Sequence, residues 1–313
     1  MTRYIIRRLL ISIPILLAVL TLVFLVVRLM PGGPAMAVLG DYASKEAVAA
    51  LEAKMGLDAP LWLQYVRFLS GLLRGDLGRS MITGTPIAPQ IVRVLPYTIE
   101  LTITAILFGV VFGIPLGILT ALRRNSILDY IGRTLSLAGI SVPAFFLGIL
   151  LMLLFSVELD LFPVMGGGDL SDFSDTIHHL FIPGLTLGML MTAYITRTTR
   201  SSILNVLQED YIRTAKAKGL RDRLVIYGHA LRNALIPVVS FVGVYAILLI
   251  GSSVLVEMVF ARPGLGKLMI GAIRQRDYIM LQSVMVVYAA MVVIINLITD
   301  LSYGLLDPRI RVE

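Results

Sequence analysis

The sequence predicts an all-α, polytopic membrane protein with six transmembrane helices, and three observations carry that expectation. Of the 313 residues, 57% are hydrophobic and only 15% are charged. Soluble domains carry roughly 45–50% and about 25%, so this chain lacks the polar groups to cover its own surface. Its apolar residues fall in six runs, and about 20 apolar residues in a row let a helix cross the hydrocarbon of a bilayer. Basic residues gather in alternate connections, the pattern of cytoplasmic loops. A soluble two-domain enzyme, a disordered chain and a nucleic-acid module are thereby excluded, and the net charge of +7 reflects loop topology. The absence of cysteine removes disulfides, thiolate nucleophiles and Cys-ligated metals.

The first apolar run, Leu9–Val27, follows Arg3, Arg7 and Arg8. Ala35-Met36-Ala37 has the small-x-small form of a cleavage site, but a signal sequence has an apolar stretch of only about 7–15 residues. We therefore expect residues 1–29 to form an uncleaved first span. Residues 30–97 are expected to form an extracytoplasmic helical subdomain. Ser44-Lys45-Glu46 starts a helix carrying Val48, Leu51 and Met55 and stopped by Gly56. A second helix begins at Pro60 and presents Leu61, Tyr65, Phe68, Leu69 and Leu72 before Gly75; Pro opening a helix and Gly closing it follow the usual boundary asymmetry.

Residues 98–313 are expected to be a five-helix core with spans near Ile99–Leu122, Leu135–Val157, Leu180–Ile195, Leu235–Phe260 and Leu281–Tyr303. Pro115, Pro143, Pro183 and Pro237 fall in or beside these spans, where neighbouring helices satisfy the freed carbonyls. Gly109, Gly113 and Gly117 repeat every four residues, as do Gly184 and Gly188, and such faces let helix backbones approach closely.

Orientation follows from the short loops. Arg123, Arg124 and Arg133 flank the second connection, and eight basic residues lie between Arg197 and Arg232. Glu158 to His179 holds five acids and no Lys or Arg. The positive-inside rule puts the N-terminus, the second and fourth loops and the C-terminus, with Arg309 and Arg311, in the cytoplasm. The four basic residues of the fifth loop, Arg262, Lys267, Arg274 and Arg276, argue mildly the other way.

No enzymatic constellation is present: no His-Glu-x-x-His, no Gly-x-Ser-x-Gly, no phosphate-cradling Gly-x4-Gly-Lys-Ser/Thr. Adjacent His178 and His179 would point about 100° apart on a helix and form no two-ligand face. The chain is expected to be no enzyme and to hold no metal or cofactor. Ion-coupled carriers show ionisable residues at mid-membrane depth, whereas Glu100, Glu257 and Asp300 sit near span ends. Energy is therefore expected to enter elsewhere, through the fourth loop, residues 197–234. Acids at Glu209 and Asp210, then Ala-rich and basic residues, suit a short helix by its dipole, and Gly219 suits its left-handed stop.

That loop, with Asp210-Tyr211-x-Arg213-Thr214-Ala215-x-Ala217-Lys218-Gly219, resembles the cytoplasmic EAA loop of binding-protein-dependent ABC importer permeases, in the form of the dipeptide and oligopeptide branch. Aligned on Gly219, the motif's Glu-Ala-Ala falls on Arg213-Thr214-Ala215, so only the second Ala is kept, and Glu209 or Asp210 stands for the motif acid. The resemblance extends to Pro31-Gly32-Gly33-Pro34, Gly56-Leu57-Asp58-x-Pro60-Leu61, Gly75-Asp76-Leu77-Gly78-x-Ser80 and Pro96-x-Thr98-Ile99-Glu100-Leu101. Arg262-Pro263-Gly264-Leu265-Gly266, Arg276-Asp277-Tyr278 and Leu306-Asp307-Pro308-Arg309-Ile310-Arg311 complete it.

The resemblance implies the MetI-like fold of type I ABC importer permeases, in the bacterial inner membrane. It implies a second homologous permease subunit enclosing a shared pathway, two cytoplasmic ATPase subunits that bind ATP and Mg, and an extracytoplasmic substrate-binding protein. Glu209, Asp210, Tyr211, Arg213, Thr214, Ala215, Ala217, Lys218 and Gly219 would form the coupling helix and its stop. Small Ala215 and Ala217 would admit close approach of an ATPase. Di- or oligopeptides are the implied substrates, in a branch that also handles glutathione, nickel complexes and opines. Among polar residues within the spans, Tyr245, Ser252, Ser253 and Asn296 are the candidates for lining the pathway, with helix–helix hydrogen bonding as their other reading. An ion-gradient-driven secondary carrier of small solutes is the alternative, against which the bare spans speak.

Overall fold

The structure is a computed structural model describing residues 2–29, 35–36, 39 and 43–306. Pro31-Gly32-Gly33-Pro34 and Asp307-Pro308-Arg309-Ile310-Arg311 lie outside the described residues. In order, the helices are α1 (Thr2–Leu29), α2 (Lys45–Met55), α3 (Leu61–Leu73), α4 (Ile87–Leu122), α5 (Ile127–Ser141) and α6 (Ala144–Met152, prolonged by a π-helical turn, Leu153–Glu158). They continue with α7 (Phe173–Val206), α8 (Asp210–Ala217), α9 (Asp222–Val259, π-helical over Val225–Ala230), α10 (Leu265–Gln275) and α11 (Tyr278–Leu306). Among the described residues the one extended pairing is a bridge between Arg79 and Pro86.

Among the described residues, α1, α4, α7, α9 and α11 are long and apolar enough to cross a membrane. The expected third span, Leu135–Val157, is not one straight helix. Instead α5 and α6 meet at a bend of 101°. Pro143 has no N–H to continue the ladder and crowds the residue before it out of helical conformation; Val142 accordingly sits at φ −84°, ψ 125°. The α7 and α9 helices, in turn, run well past the apolar stretches Leu180–Ile195 and Leu235–Phe260, so most of the expected fourth loop is itself helical.

The chain divides into two compact units. One comprises Ile6–Pro96 with Pro263–Ile294. Its α2 begins at Ser44, whose hydroxyl accepts the Ala47 N–H, and stops at Gly56 with φ +67°. Phe24 of α1 packs against Tyr65 and Phe68 of α3, with ring centroids 5.2 and 5.7 Å apart. Ile87 and Ile91 share a core with Leu265, Ala272, Met280 and Val284. There Asp277 accepts the Met81 and Met280 N–H groups and the Ser80 hydroxyl, pinning the start of α11 to the turn before α4.

The other unit comprises Tyr97–Arg262 with residues 2–5 and 295–306. Its core is built on α7, where Leu187, Met191 and Ile195 meet Leu101 and Ala105 of α4 and Val256 and Phe260 at the end of α9. The glycine faces do here what their spacing predicts. A Cβ on Gly113 would lie 2.8 Å from the Ile195 side chain, and one on Gly117 would lie 2.5 Å from Thr199. Gly184 and Gly188 face Thr104 and Phe108 in return. Both helices thus present small residues to the other, the arrangement that brings membrane helices closest.

Candidate functional site

The α8 helix is amphipathic on a very small scale. Glu209 occupies the N-cap position with extended backbone, Asp210 stands in the first turn and Lys216 in the last, so charge complements the helix dipole at both ends. Gly219 takes φ +78°, a conformation that costs side chains with a Cβ about 1–2 kcal/mol. The Gly219 N–H bonds the Lys216 carbonyl at 2.9 Å and closes the helix.

Ile212 and Ala215 are buried, and Val225 and Ala230 of the π-helical start of α9 complete a small core with Val206, Leu207 and Leu220. Val206 and Leu207 also belong to a cluster with Ile203 of α7 and Ala234 of α9. Packing therefore runs without a break from α8 into the ends of α7 and α9. The Tyr211 hydroxyl accepts from Asn233 at 2.7 Å, a second tie to α9. Arg213–Asp210 at 3.4 Å and Lys216–Asp222 at 3.9 Å are both well exposed, and such pairs contribute only about 0–1 kcal/mol. Apolar packing holds this loop. Glu209, Asp210, Tyr211, Arg213, Thr214, Ala217, Lys218 and Gly219 are all exposed, whereas Ala215 lies inside the loop's own core.

Of the candidate pathway residues, the structure brings two together. Tyr245 stacks on Tyr194 with centroids 4.0 Å apart. Both border a cavity of about 200 Å³ with Ser252, Leu190, Met191 and Leu248. Ser253 is fully buried, and its hydroxyl donates to the Ile250 carbonyl of its own helix at 2.9 Å. Asn296 is exposed on α11 and does not border that cavity.

Two ionic clusters were not anticipated from the sequence. Asp129, fully buried near the start of α5, accepts Arg200 Nε and Nη2 from α7 at 2.7 and 2.9 Å and the Asn125 N–H at 3.0 Å. Glu257 does not face water at its span end; it is fully buried and accepts the Thr98 hydroxyl at 2.7 Å. Next to it the buried Arg262 donates to Glu100 (2.9 Å) and to the Gly167 carbonyl (3.2 Å), with its guanidinium 5.2 Å from the Tyr97 ring centroid. Burial draws the Arg262 pKa below the ordinary arginine value, opposed by the charges of Glu100 and Glu257. The cluster ties the Tyr97–Glu100 stretch of α4, the end of α9 and the 167–168 segment to one another. His178 and His179 bond the Leu161 and Asp175 carbonyls at 2.8 and 3.0 Å.

Apolar helices long enough to cross a membrane, closely packed glycine faces and a helical loop returning between two of the spans define a polytopic membrane protein. Comparison with known proteins makes that specific. Residues 113–312 match the family described as binding-protein-dependent transport system inner membrane component, and residues 1–102 match the N-terminal membrane-component family of the same systems. The dipeptide transport system permease DppB of Alkalihalophilus pseudofirmus is 41% identical over 99% of this chain and 100% of its own length. The glutathione transport system permease GsiC of Pectobacterium atrosepticum is 44% identical over 99% of each chain. Among solved structures, an inward-facing form of the MetNI methionine ABC transporter superposes with TM-score 0.57 at 19% identity, over 70% of this chain and 96% of that one. An amino acid ABC transporter crystallised with histidines gives 0.54 at 16% identity, over 69% and 94%. The chain belongs to the binding-protein-dependent transport system inner membrane components, as an ABC importer permease of the peptide and glutathione branch with the MetI-like fold. It is a multi-pass inner-membrane subunit of a family that works with ATPase and substrate-binding partners.

Proposed function

We propose that this permease carries short peptides, or peptide-like solutes such as glutathione, through a pathway it shares with a second permease chain, and that α8 is its mechanical link to an ATPase. Curated relatives named for dipeptide and glutathione transport, 39–44% identical along 99% of the chain, support the substrate class. The link rests above all on the construction of α8, a short helix closed by the left-handed Gly219, whose inner face is packed into both α7 and α9 while its outer face is exposed. A push on Tyr211, Thr214 or Ala217 would reach two spanning helices together. A lever that follows two discrete states is what coupling requires.

Two ATPase subunits supply the push, ATP and Mg bind to them alone, and an extracytoplasmic binding protein delivers the solute. A cytoplasmic location of α8 and both termini is supported by the basic fourth loop and the acidic third. Tyr245 and Ser252, on the cavity beside Tyr194, are the lining residues we favour.

The test is a mild-detergent pull-down of the tagged chain from its host, with mass spectrometry of co-purifying subunits and uptake of labelled dipeptide and glutathione by the recovered complex in proteoliposomes. A second permease and ATPases in the pull-down, with ATP-dependent uptake, is the expected result. Recovery of the chain alone, transporting under an ion gradient without ATP, would overturn it.

A further inference from the structure

The α3 helix carries two faces with different surroundings. Gln64, Tyr65 and Phe68 turn toward α1. On the far side Trp62, Val66 and Leu73 are 67%, 52% and 90% exposed and recur at helical spacing, flanked by Arg67 and Arg74. An apolar stripe of this kind in contact with water would be unfavourable. The contacts of α3 with α1 fix its depth. The Tyr65 hydroxyl is hydrogen-bonded to that of Thr21 at 2.6 Å, and Thr21 lies about 12 Å along the helix from the last residue of α1. Tyr65 therefore meets α1 inside its apolar stretch, Ile6–Leu29. A helix docked there lies at the lipid boundary, where Trp is enriched and long basic side chains reach out to headgroups.

A second observation sits beside the first. Arg28, near the end of α1, is half-buried. Its Nε donates to Gln64 Oε1 at 2.9 Å, Nη1 donates to Gln282 Oε1 at 3.1 Å, and the guanidinium lies over the Phe24 ring. Among the described residues no carboxylate pairs with it. A half-buried guanidinium held by neutral amides gains from an anion. It borders a cavity of about 360 Å³ together with Arg67, Phe68 and Leu72 of α3. Asp76 lies on the same cavity, with its carboxylate accepting the Gly78 N–H at 2.8 Å.

We propose that α3 is an interfacial helix whose Trp62–Val66–Leu73 stripe lies in lipid, and that the cavity between Arg28 and Arg67 receives the phosphate of a phospholipid headgroup. Planar guanidinium groups suit phosphate oxygens, and the apolar lining suits the start of an acyl chain. The lipid would brace α3 against α1.

Trp62 is the chain's single tryptophan, so its fluorescence reports the stripe directly. In liposomes of phosphatidylcholine and phosphatidylglycerol, bromine on the phosphatidylcholine acyl chains is expected to quench more than half of the emission, and iodide very little; Trp62→Phe supplies the background. Quenching by iodide with no effect of bromolipid would put the stripe in water. Insensitivity to both would mean that protein covers it. Either result overturns the assignment. For the cavity, native mass spectrometry of the detergent-solubilised chain titrated with phosphatidylglycerol is expected to show a bound lipid. Arg67→Gln and Arg28→Gln should each weaken it roughly tenfold to a hundredfold, the range for loss of a charge-assisted hydrogen bond. Because Arg67 is exposed, its variant keeps the test valid if Arg28→Gln fails to fold. Unchanged affinity, or displacement by millimolar inorganic phosphate or by a dipeptide, would refute the lipid and point to a free-anion or substrate site.

Discussion

Replacing Arg200 by Met should destabilise the chain far more than loss of an ordinary interhelical hydrogen bond. Neutral bonds between membrane helices average about 0.6 kcal/mol and reach about 1.7, because the unfolded helices find other partners. Asp129 is a different case. It is fully buried and holds two Arg200 donors at 2.7 and 2.9 Å, with Arg133 3.6 Å away and the Asn125 N–H at 3.0 Å. Stranding one member of a buried pair costs about 3–5 kcal/mol. The two remaining contacts compensate in part, so Arg200→Met belongs at the lower end, about 3 kcal/mol.

On the scale of about 2–4 °C per kcal/mol for larger soluble domains, the melting temperature would fall by roughly 6–12 °C. The assay is thermal unfolding of the purified chain in mild detergent for Arg200→Met, Asp129→Asn and the double variant. A coupling energy above about 1.7 kcal/mol, beyond the range of neutral bonds, is expected. A value near or below about 0.6 kcal/mol would refute the reasoning, since it would mean that the two charges are solvated.

Gly113→Val would drive a side chain into Ile195, already 2.8 Å from the position of a Cβ, and should cost about 1–3 kcal/mol by overpacking; unchanged melting would show that the α4–α7 approach is looser than described. Gly219→Pro cannot adopt the φ of +78° found there. The chain should still insert in the membrane while transport-coupled ATP hydrolysis is lost, and normal uptake in proteoliposomes would remove α8 from the coupling route. Ala215→Asp places a carboxylate among Ile212, Val225 and Ala230 and should likewise uncouple the complex, read as ATPase activity that no longer responds to substrate. Thr98→Val deprives the buried Glu257 of its 2.7 Å donor, and a loss of about 1–3 kcal/mol is expected in the same unfolding assay.

What the sequence made legible was local. Ser44, Gly56 and Pro60 bound α2 and α3 because a cap or a left-handed stop is decided within a few residues. The four-residue glycine spacing likewise marks close packing without naming its partner. The bend between α5 and α6 was missed although its signal was present. Hydropathy passes smoothly through Val142-Pro143, while the restriction Pro imposes on its predecessor does not depend on apolarity. A break at that dipeptide was the better expectation.

Charge was misjudged for another reason. Asp129 meets Arg200, Glu257 meets Thr98 and Arg262 meets Glu100 across 71, 159 and 162 residues, so no window along the chain holds both partners. A lone acid near the end of an apolar run then reads as water-facing. The membrane argues otherwise: a span end packed among other helices has little access to water, so an ionisable group there must be paired or be costly. Residue type alone is just as ambiguous at Ala215. A small residue in an exposed loop suggests close approach by another protein, yet Val225 and Ala230 occupy that approach from within the chain. On the proposed coupling role, the surface left for an ATPase is the side of α8 away from that core, where Arg213, Thr214 and Ala217 are exposed. Substitutions there should alter partner binding with little change in melting, whereas those at Ile212 or Ala215 should alter both.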